Sequence, residues 1–334
     1  MYDSHLAYRA AARWTALLES PRRSSLPPGE DGRVRVSVEG EPPAAPFAVT
    51  TSKGLFLWRG DELRHLVPGP TFGLTVGPDG TLYVFQQTGH HGRVLRVRHD
   101  EETAKVSTWI WGLSRWVHQI DFVGEHLLVT DTWRNRVLAY RALPGVRRLH
   151  ASRPDWTLFV GEDSRDGRFS PGYHHVNSVY RHGDLLYVMA HNHSLHTGRE
   201  SEIWTFGPGR GLAGVEPTRG RCCHNVVLRD GKLMFCRSLE GTLAYDGADV
   251  FTTDGFTRGL SVTEDAVLVG VSRFAEDPAR RDADGASVEV LDRDFTWRGR
   301  IGLYGCQIRD IRSLPYDLGL SNVSDPHLNA SGNR

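Results

Sequence analysis

From about residue 45 onward, apolar and polar positions alternate with period two in short runs, and glycine turns punctuate the runs. Alternation of this kind predicts β-strands, because successive side chains on a strand point to opposite faces. The clearest unit reads as four strands, 116–123, 126–131, 136–141 and 155–160. The turns Pro78-Asp79-Gly80, Gly183-Asp184 and Asp230-Gly231 join first and second strands in three other units. First strands begin near Phe72, His118, His175, His224, Arg258 and Cys306. A four-stranded unit recurring every ~40–50 residues is a propeller blade.

The chain ends settle the number of blades. The stretch 306–311 is a first strand with no room for three more after it, while 46–70 holds three strands that lack a first. Joined, they make a sixth blade that closes the ring and removes the open sheet edges that invite aggregation. The expectation is an all-β, six-bladed β-propeller over 45–315, closed by its N- and C-terminal strands. Before it, Leu6, Ala10, Trp14 and Leu17 recur at helical spacing behind a capping Asp3 or Ser4, which predicts a short helix over 3–19. A Pro/Gly/Arg-rich linker follows, so 1–32 reads as helix and linker and 316–334 as a tail. The helix is a candidate element for packing onto the propeller or for oligomer contacts.

Composition changes this picture little. The 40 basic and 40 acidic residues cancel, which disfavours nucleic-acid and membrane-surface partners. No run of ~18 apolar residues predicts a membrane span. The four cysteines form neither a disulfide framework nor a CxxC pair, and the start of the sequence lacks a secretory pattern, so a cytoplasmic protein is expected.

The 16 histidines matter more. His118, His175 and His224 open three successive first strands, where the repeat geometry brings equivalent positions to one channel mouth. Neutral imidazole binds zinc, iron and copper, and three protein ligands with open positions make a catalytic metal site. The expected ring is Phe72, His118, His175, His224, Arg258 and Cys306. His174 replaces His175 if the register slips by one, and His191 and His193 are reserve ligands. Arg258 is positioned to hold a carboxylate or phosphate, Tyr173 to move a proton, and Cys306 to act as a fourth ligand or nucleophile. Gln119, Asn225 and Gln307 follow ring positions directly, and Trp133 and Arg134 sit on a loop of the same face; these five are candidate substrate contacts. Asp121 and Arg309 are expected to pair in the channel.

The run from His126 to Tyr140, with Asp131-Thr132 and Asn135-Arg136 at its centre, resembles the NHL repeat, a propeller motif. It covers one blade well and others loosely. Three histidines with a nearby tyrosine and arginine in a six-bladed propeller also resemble the peptidyl-hydroxyglycine amidating lyase core. That resemblance implies zinc on His118, His175 and His224, with Tyr173 and Arg258 assisting cleavage of a carbon–nitrogen bond. It departs in one respect, since the three histidines here lie on adjacent blades. Two functions follow as expectations. The first is a metal-dependent lyase or hydrolase acting on a small polar or anionic substrate, with iron or copper oxygenase-type chemistry next. The second is a non-enzymatic propeller module that binds a peptide or protein partner.

Overall fold

A computed structural model describes residues 34–78, 80–99, 104–142, 149–275 and 285–314. The described strands form six sheets, four of four strands and two of five. Blade one holds Thr71–Val76, Leu82–Thr88, His91–His99 and Ala104–Ser114; blade two holds Val117–Val123, His126–Asp131, Arg136–Arg141 and Trp156–Phe159. Blade three holds Val176–His182, Leu185–Ala190, Glu202–Phe206 and Leu212–Pro217; blade four holds His224–Arg229, Lys232–Arg237, Thr242–Tyr245 and Ala248–Thr252. Blade five holds Phe256–Val262, Val267–Ser272, Ala286–Leu291 and Trp297–Tyr304. Blade six is the composite expected from the sequence: Ile308–Ser313 is its inner strand and pairs antiparallel with Phe47–Thr51, followed by Gly54–Arg59 and Glu62–Pro68. The inner strands neighbour one another around the ring, and the sixth returns to the first.

The inner and second strands depart from strict alternation, because each blade is covered on both faces by its neighbours and both parities of a strand are then apolar. In His126–Asp131, Leu127 and Val129 pack toward blade one, whereas Leu128 packs toward blade three. Six apolar clusters result, one in each interface between blades.

Two strands lie outside the expected pattern. Arg35–Gly40 adds a fifth strand to the outer edge of blade five, pairing with Trp297–Tyr304. It is exposed along its length, with Val36 and Val38 open to solvent, so it carries no buried face to read. Leu149–His150 adds a short parallel strand outside blade one. The expected helix over 3–19, its linker and the tail 316–334 lie outside the described residues. No helix among the described residues is long and apolar enough to cross a membrane.

Inner-strand side chains tie blade to blade. The Thr75 hydroxyl donates to Asp121 at 2.7 Å, the Val179 amide donates to Gln119 Oε1 at 2.7 Å, and Asn177 donates to the Cys223 carbonyl at 2.7 Å. Further round, the Gly259 amide donates to Asn225 Oδ1 at 2.8 Å and the Leu74 amide donates to Asp310 at 3.2 Å. Every one of these groups is buried and would be costly to leave unpaired. Together they hold the channel wall in one arrangement.

Candidate functional site

The histidines of three adjacent blades meet at one end of the channel. His118 lies on the inner strand of blade two, within a register shift that sets residues 118 and 119 opposite a single partner residue. Bulges of this type re-aim side chains. His224 opens the inner strand of blade four, just before a similar shift. His175 immediately precedes the inner strand of blade three in left-handed backbone, φ 53°. His191 follows the second strand of the same blade, and its amide donates to the His175 carbonyl at 3.2 Å.

These four rings form a closed circuit. Ring centroids are 4.9 Å apart for His118 and His175, 4.5 Å for His175 and His191, 5.5 Å for His191 and His224, and 6.3 Å for His224 and His118. His193 lies beyond, 5.8 Å from His175 and 4.2 Å from His196. His191 and His224 are buried, whereas His118 and His175 stay partly open. Backbone strain concentrates here: Asn192, His193, Cys222 and Asn225 share the left-handed conformation of His175. For side chains other than glycine such conformations cost on the order of 1–3 kcal/mol and cluster at functional sites.

His118, His175, His191, His193 and His224 are held neutral. Burial first, and then the Arg258 charge, keeps His118 and His224 well below the ordinary histidine range. Burial and then the neighbouring His191 do the same for His175. Burial and His193 push His191 down to about 3, and burial and His196 push His193 to about 4. Neutral rings keep the lone pair that ligation requires. The Nδ1 atoms of His175 and His224 are fixed by hydroxyls, Tyr173 Oη at 2.9 Å and Ser238 Oγ at 2.9 Å. Buried Nδ1 atoms of His118 and His191 have no hydrogen-bond partner among the described residues.

The rings lie edge-to-face, tilted or parallel. Among the described residues no group of three or more His, Cys, Asp or Glu side chains is arranged to hold a metal ion. The donor chemistry nevertheless fits a transition metal, and the spacing is close. Imidazoles sharing one ion at ~2.1 Å place their ring centres roughly 5 Å apart, near the 4.9 and 4.5 Å sides of the circuit and below its 6.3 Å side.

Other expected residues divide. Tyr173 is buried, and burial raises its phenol above the usual range, so it stays protonated as a hydrogen-bonding partner of His175. Arg258 is in the cluster; its Nε donates to the Arg309 carbonyl at 3.1 Å, and both guanidinium groups approach the Phe72 ring, at 5.7 and 4.4 Å. Phe72 also stacks on His118 at 5.9 Å. Cys306 is not brought to the site. It packs in the apolar cluster between blades five and six with Phe47, Val49 and Ile308, because the inner strand of blade six begins two residues later than expected. Arg309 stands at that place instead. Asp121, expected to meet Arg309, accepts from Thr75 and pairs with Arg312 at 3.5 Å.

Gln119 and Asn225 line the channel, but their amides are used between blades, Asn225 Nδ2 also donating to Asp310 at 3.0 Å. Gln307 is buried, and its side-chain oxygen has no partner among the described residues. Trp133 stacks on Trp116 at 5.6 Å above Gly167, and Arg134 beside it is exposed. His174 turns away to Asn192 at 2.9 Å and to Trp204, so the one-residue slip does not occur. His118, His224 and Arg258 line a crevice too narrow as it stands to hold a water molecule, so a small-molecule substrate would need the mouth to open. Ser238 was not foreseen; its only signal is its place after a second strand, where His191 stands in blade three.

No protein-family model matches the chain, and no curated protein does. Several solved structures share its shape. A chain from a nidogen/laminin complex superposes with a TM-score of 0.53 at 10% identity, covering 84% of this chain and 99% of its own. TolB from Acinetobacter baumannii gives 0.51 at 12%, covering 81% and 67%. A protein described as a putative 6-phosphogluconolactonase from Bacteroides fragilis gives 0.50 at 14%, covering 85% and 84%. At these identities the likeness shows the propeller fold alone.

Proposed function

We propose that this protein is a metal-dependent enzyme whose ion is held by His118, His175 and His224 at the channel mouth. Its substrate would be small and polar or anionic, and its chemistry that of a lyase or hydrolase. The observation carrying this reading is the contact of neutral imidazoles from three adjacent blades, two of them with Nδ1 fixed by a hydroxyl. Ligating histidines are commonly held in this way, one nitrogen bonded to an outer partner so that the other is aimed.

A bound zinc, iron or copper ion would acidify a coordinated water or polarise a substrate oxygen. The protein's own part is positional. Tyr173 and Ser238 fix two rings, and the interblade hydrogen bonds keep the wall from relaxing. Arg258 supplies a fixed cation beside the cluster, suited to a carboxylate or phosphate. His118 and His175 are only partly buried, so the site lies near the surface of the channel mouth.

Elemental analysis of protein purified without a histidine tag tests the reading. Near one equivalent of transition metal is expected in the wild type and none in a His118/His175/His224 triple alanine variant. Lack of stoichiometric metal in the wild type, or its retention in the triple variant, overturns the proposal. Partner capture unaffected by the triple variant would then favour a binding module.

A further inference from the structure

His191 lies outside the ring of first-strand positions, yet it closes the circuit of imidazoles. It touches His175 on one side and His224 on the other, and His118 touches both of those in turn. Blades two and four have a hydroxyl at the corresponding place after their second strands. In blade two, Thr132 donates to the Val176 carbonyl at 2.6 Å; in blade four, Ser238 bonds His224. Blade three alone of these puts an imidazole there. His191 is firmly seated: its amide binds the His175 carbonyl, and its own carbonyl accepts from Ser194 Oγ at 2.7 Å and Ser201 Oγ at 3.3 Å. Its ring Nδ1 is nevertheless buried without a hydrogen-bond partner among the described residues, as is that of His118. Two buried, unpartnered nitrogens in one circuit are costly, about 1–3 kcal/mol each, unless something else takes their lone pairs.

We infer that His191 is a fourth ligand, so that the centre is a four-imidazole site supplied by blades two, three and four. This rests on the metal-dependent reading above and narrows it. Four neutral nitrogens around a tetrahedral zinc leave no open position, whereas an ion of higher coordination number keeps two. Imidazole suits iron and copper as well as zinc, and iron(II) becomes the resident metal of first choice. Two sides of the circuit, 4.9 and 4.5 Å, match the separation of adjacent imidazoles on one ion, whereas the two sides to His224, 5.5 and 6.3 Å, would have to close on binding.

The test uses the full chain, stripped with a chelator and loaded with one equivalent of copper(II) as a spectroscopic probe. Electron paramagnetic resonance of the wild type should show coupling to four nitrogens. His191→Ser, which installs the side chain that blade four carries at this place, should show three. It should also bind iron(II) at least ~10-fold more weakly in chelator competition, since losing even an outer partner of a ligand costs that much. Three nitrogens in the wild type overturn the four-imidazole assignment. So does wild-type iron affinity in His191→Ser while His118→Ala, His175→Ala and His224→Ala abolish binding, in which case the three-histidine centre survives alone. Failure of the wild type to bind either ion overturns both readings. If His191→Ser does not fold, the nitrogen count of the wild type still decides.

Discussion

Tyr173 Oη lies 2.9 Å from His175 Nδ1, two residues away along the chain and on the same loop. The contact fixes one ring of the histidine circuit, and burial keeps the phenol protonated at any ordinary pH. Tyr173→Phe removes the partner and keeps the packing. Metal affinity, measured by chelator competition, should fall ~10–100-fold, with a loss of only about 1 kcal/mol in unfolding free energy. The shape of any pH–rate profile should be unchanged, because a phenol that stays protonated contributes no limb to it. A lost limb would instead make Tyr173 a titrating catalytic group.

Asn225 offers a test of the channel wall. Its side chain accepts from the Gly259 amide on blade five and donates to Asp310 on blade six. Asn225→Ala strands a buried amide and removes one donor from a carboxyl that burial has already pushed up to about 6. Each group left unpaired costs about 1–3 kcal/mol. The denaturant midpoint should drop accordingly, and Asp310 should titrate still higher. A change within ~0.5 kcal/mol would mean that water replaces the amide.

The strands of this fold were legible as short apolar runs between glycine turns, because a blade buried on both faces is apolar at both parities, as Leu127, Leu128 and Val129 show. Closure of the ring was legible from the unmatched strands at 46–70 and 306–311. The edge strand Arg35–Gly40 was not, because it buries nothing. At the site, counting from turns brought His118, His175 and His224 together correctly. It failed at Cys306, where blade six starts later and a register shift between Thr50 and Thr51 places Arg309 at the mouth. The circuit through His191 was only partly legible, since His191 enters from the end of a second strand and first-strand positions alone do not reveal it. Gln119 and Asn225 faced the channel as expected, but their hydrogen bonds to neighbouring blades depend on contacts that no sequence spacing encodes.

Acid should unfold the metal-free protein early. The folded state holds His118, His175, His191 and His224 neutral, below their unfolded value near 6.5. As pH falls below 6.5 the unfolded chain takes up protons that the folded one refuses. Stability is therefore full above that value and is lost as pH drops toward the depressed folded values. The slope is about 1.4 kcal/mol per pH unit for each such histidine. Denaturant midpoints between pH 7 and 5 should fall steeply, and less steeply in His191→Ser. A flat profile would mean that water reaches the rings and restores their ordinary titration.

Cys306 should be silent in metal binding. It packs among Phe47, Val49 and Ile308 in an interblade core. Cys306→Ala should lower the unfolding free energy by about 1–2 kcal/mol through lost packing, with metal content and affinity unchanged. A loss of metal would return the residue to the site.

Arg258 should act with opposite signs on cations and anions. Its charge follows burial as the next influence holding His118 and His224 neutral, so it lies within electrostatic reach of the circuit. That charge opposes a metal cation and favours an anionic substrate beside it. Arg258→Met removes the charge and keeps apolar volume against Phe72. Metal affinity should rise at least ~10-fold, since a unit charge ~7 Å from a divalent ion is worth roughly 4–5 kcal/mol at an effective dielectric near 20, before screening by water and salt. Binding of inorganic phosphate to the metal-loaded protein, followed by calorimetry, should weaken by a similar factor or more. If both affinities fall together, Arg258 is holding the wall through its bond to the Arg309 carbonyl. If neither moves, its charge is screened from the site and the anionic preference has no source there.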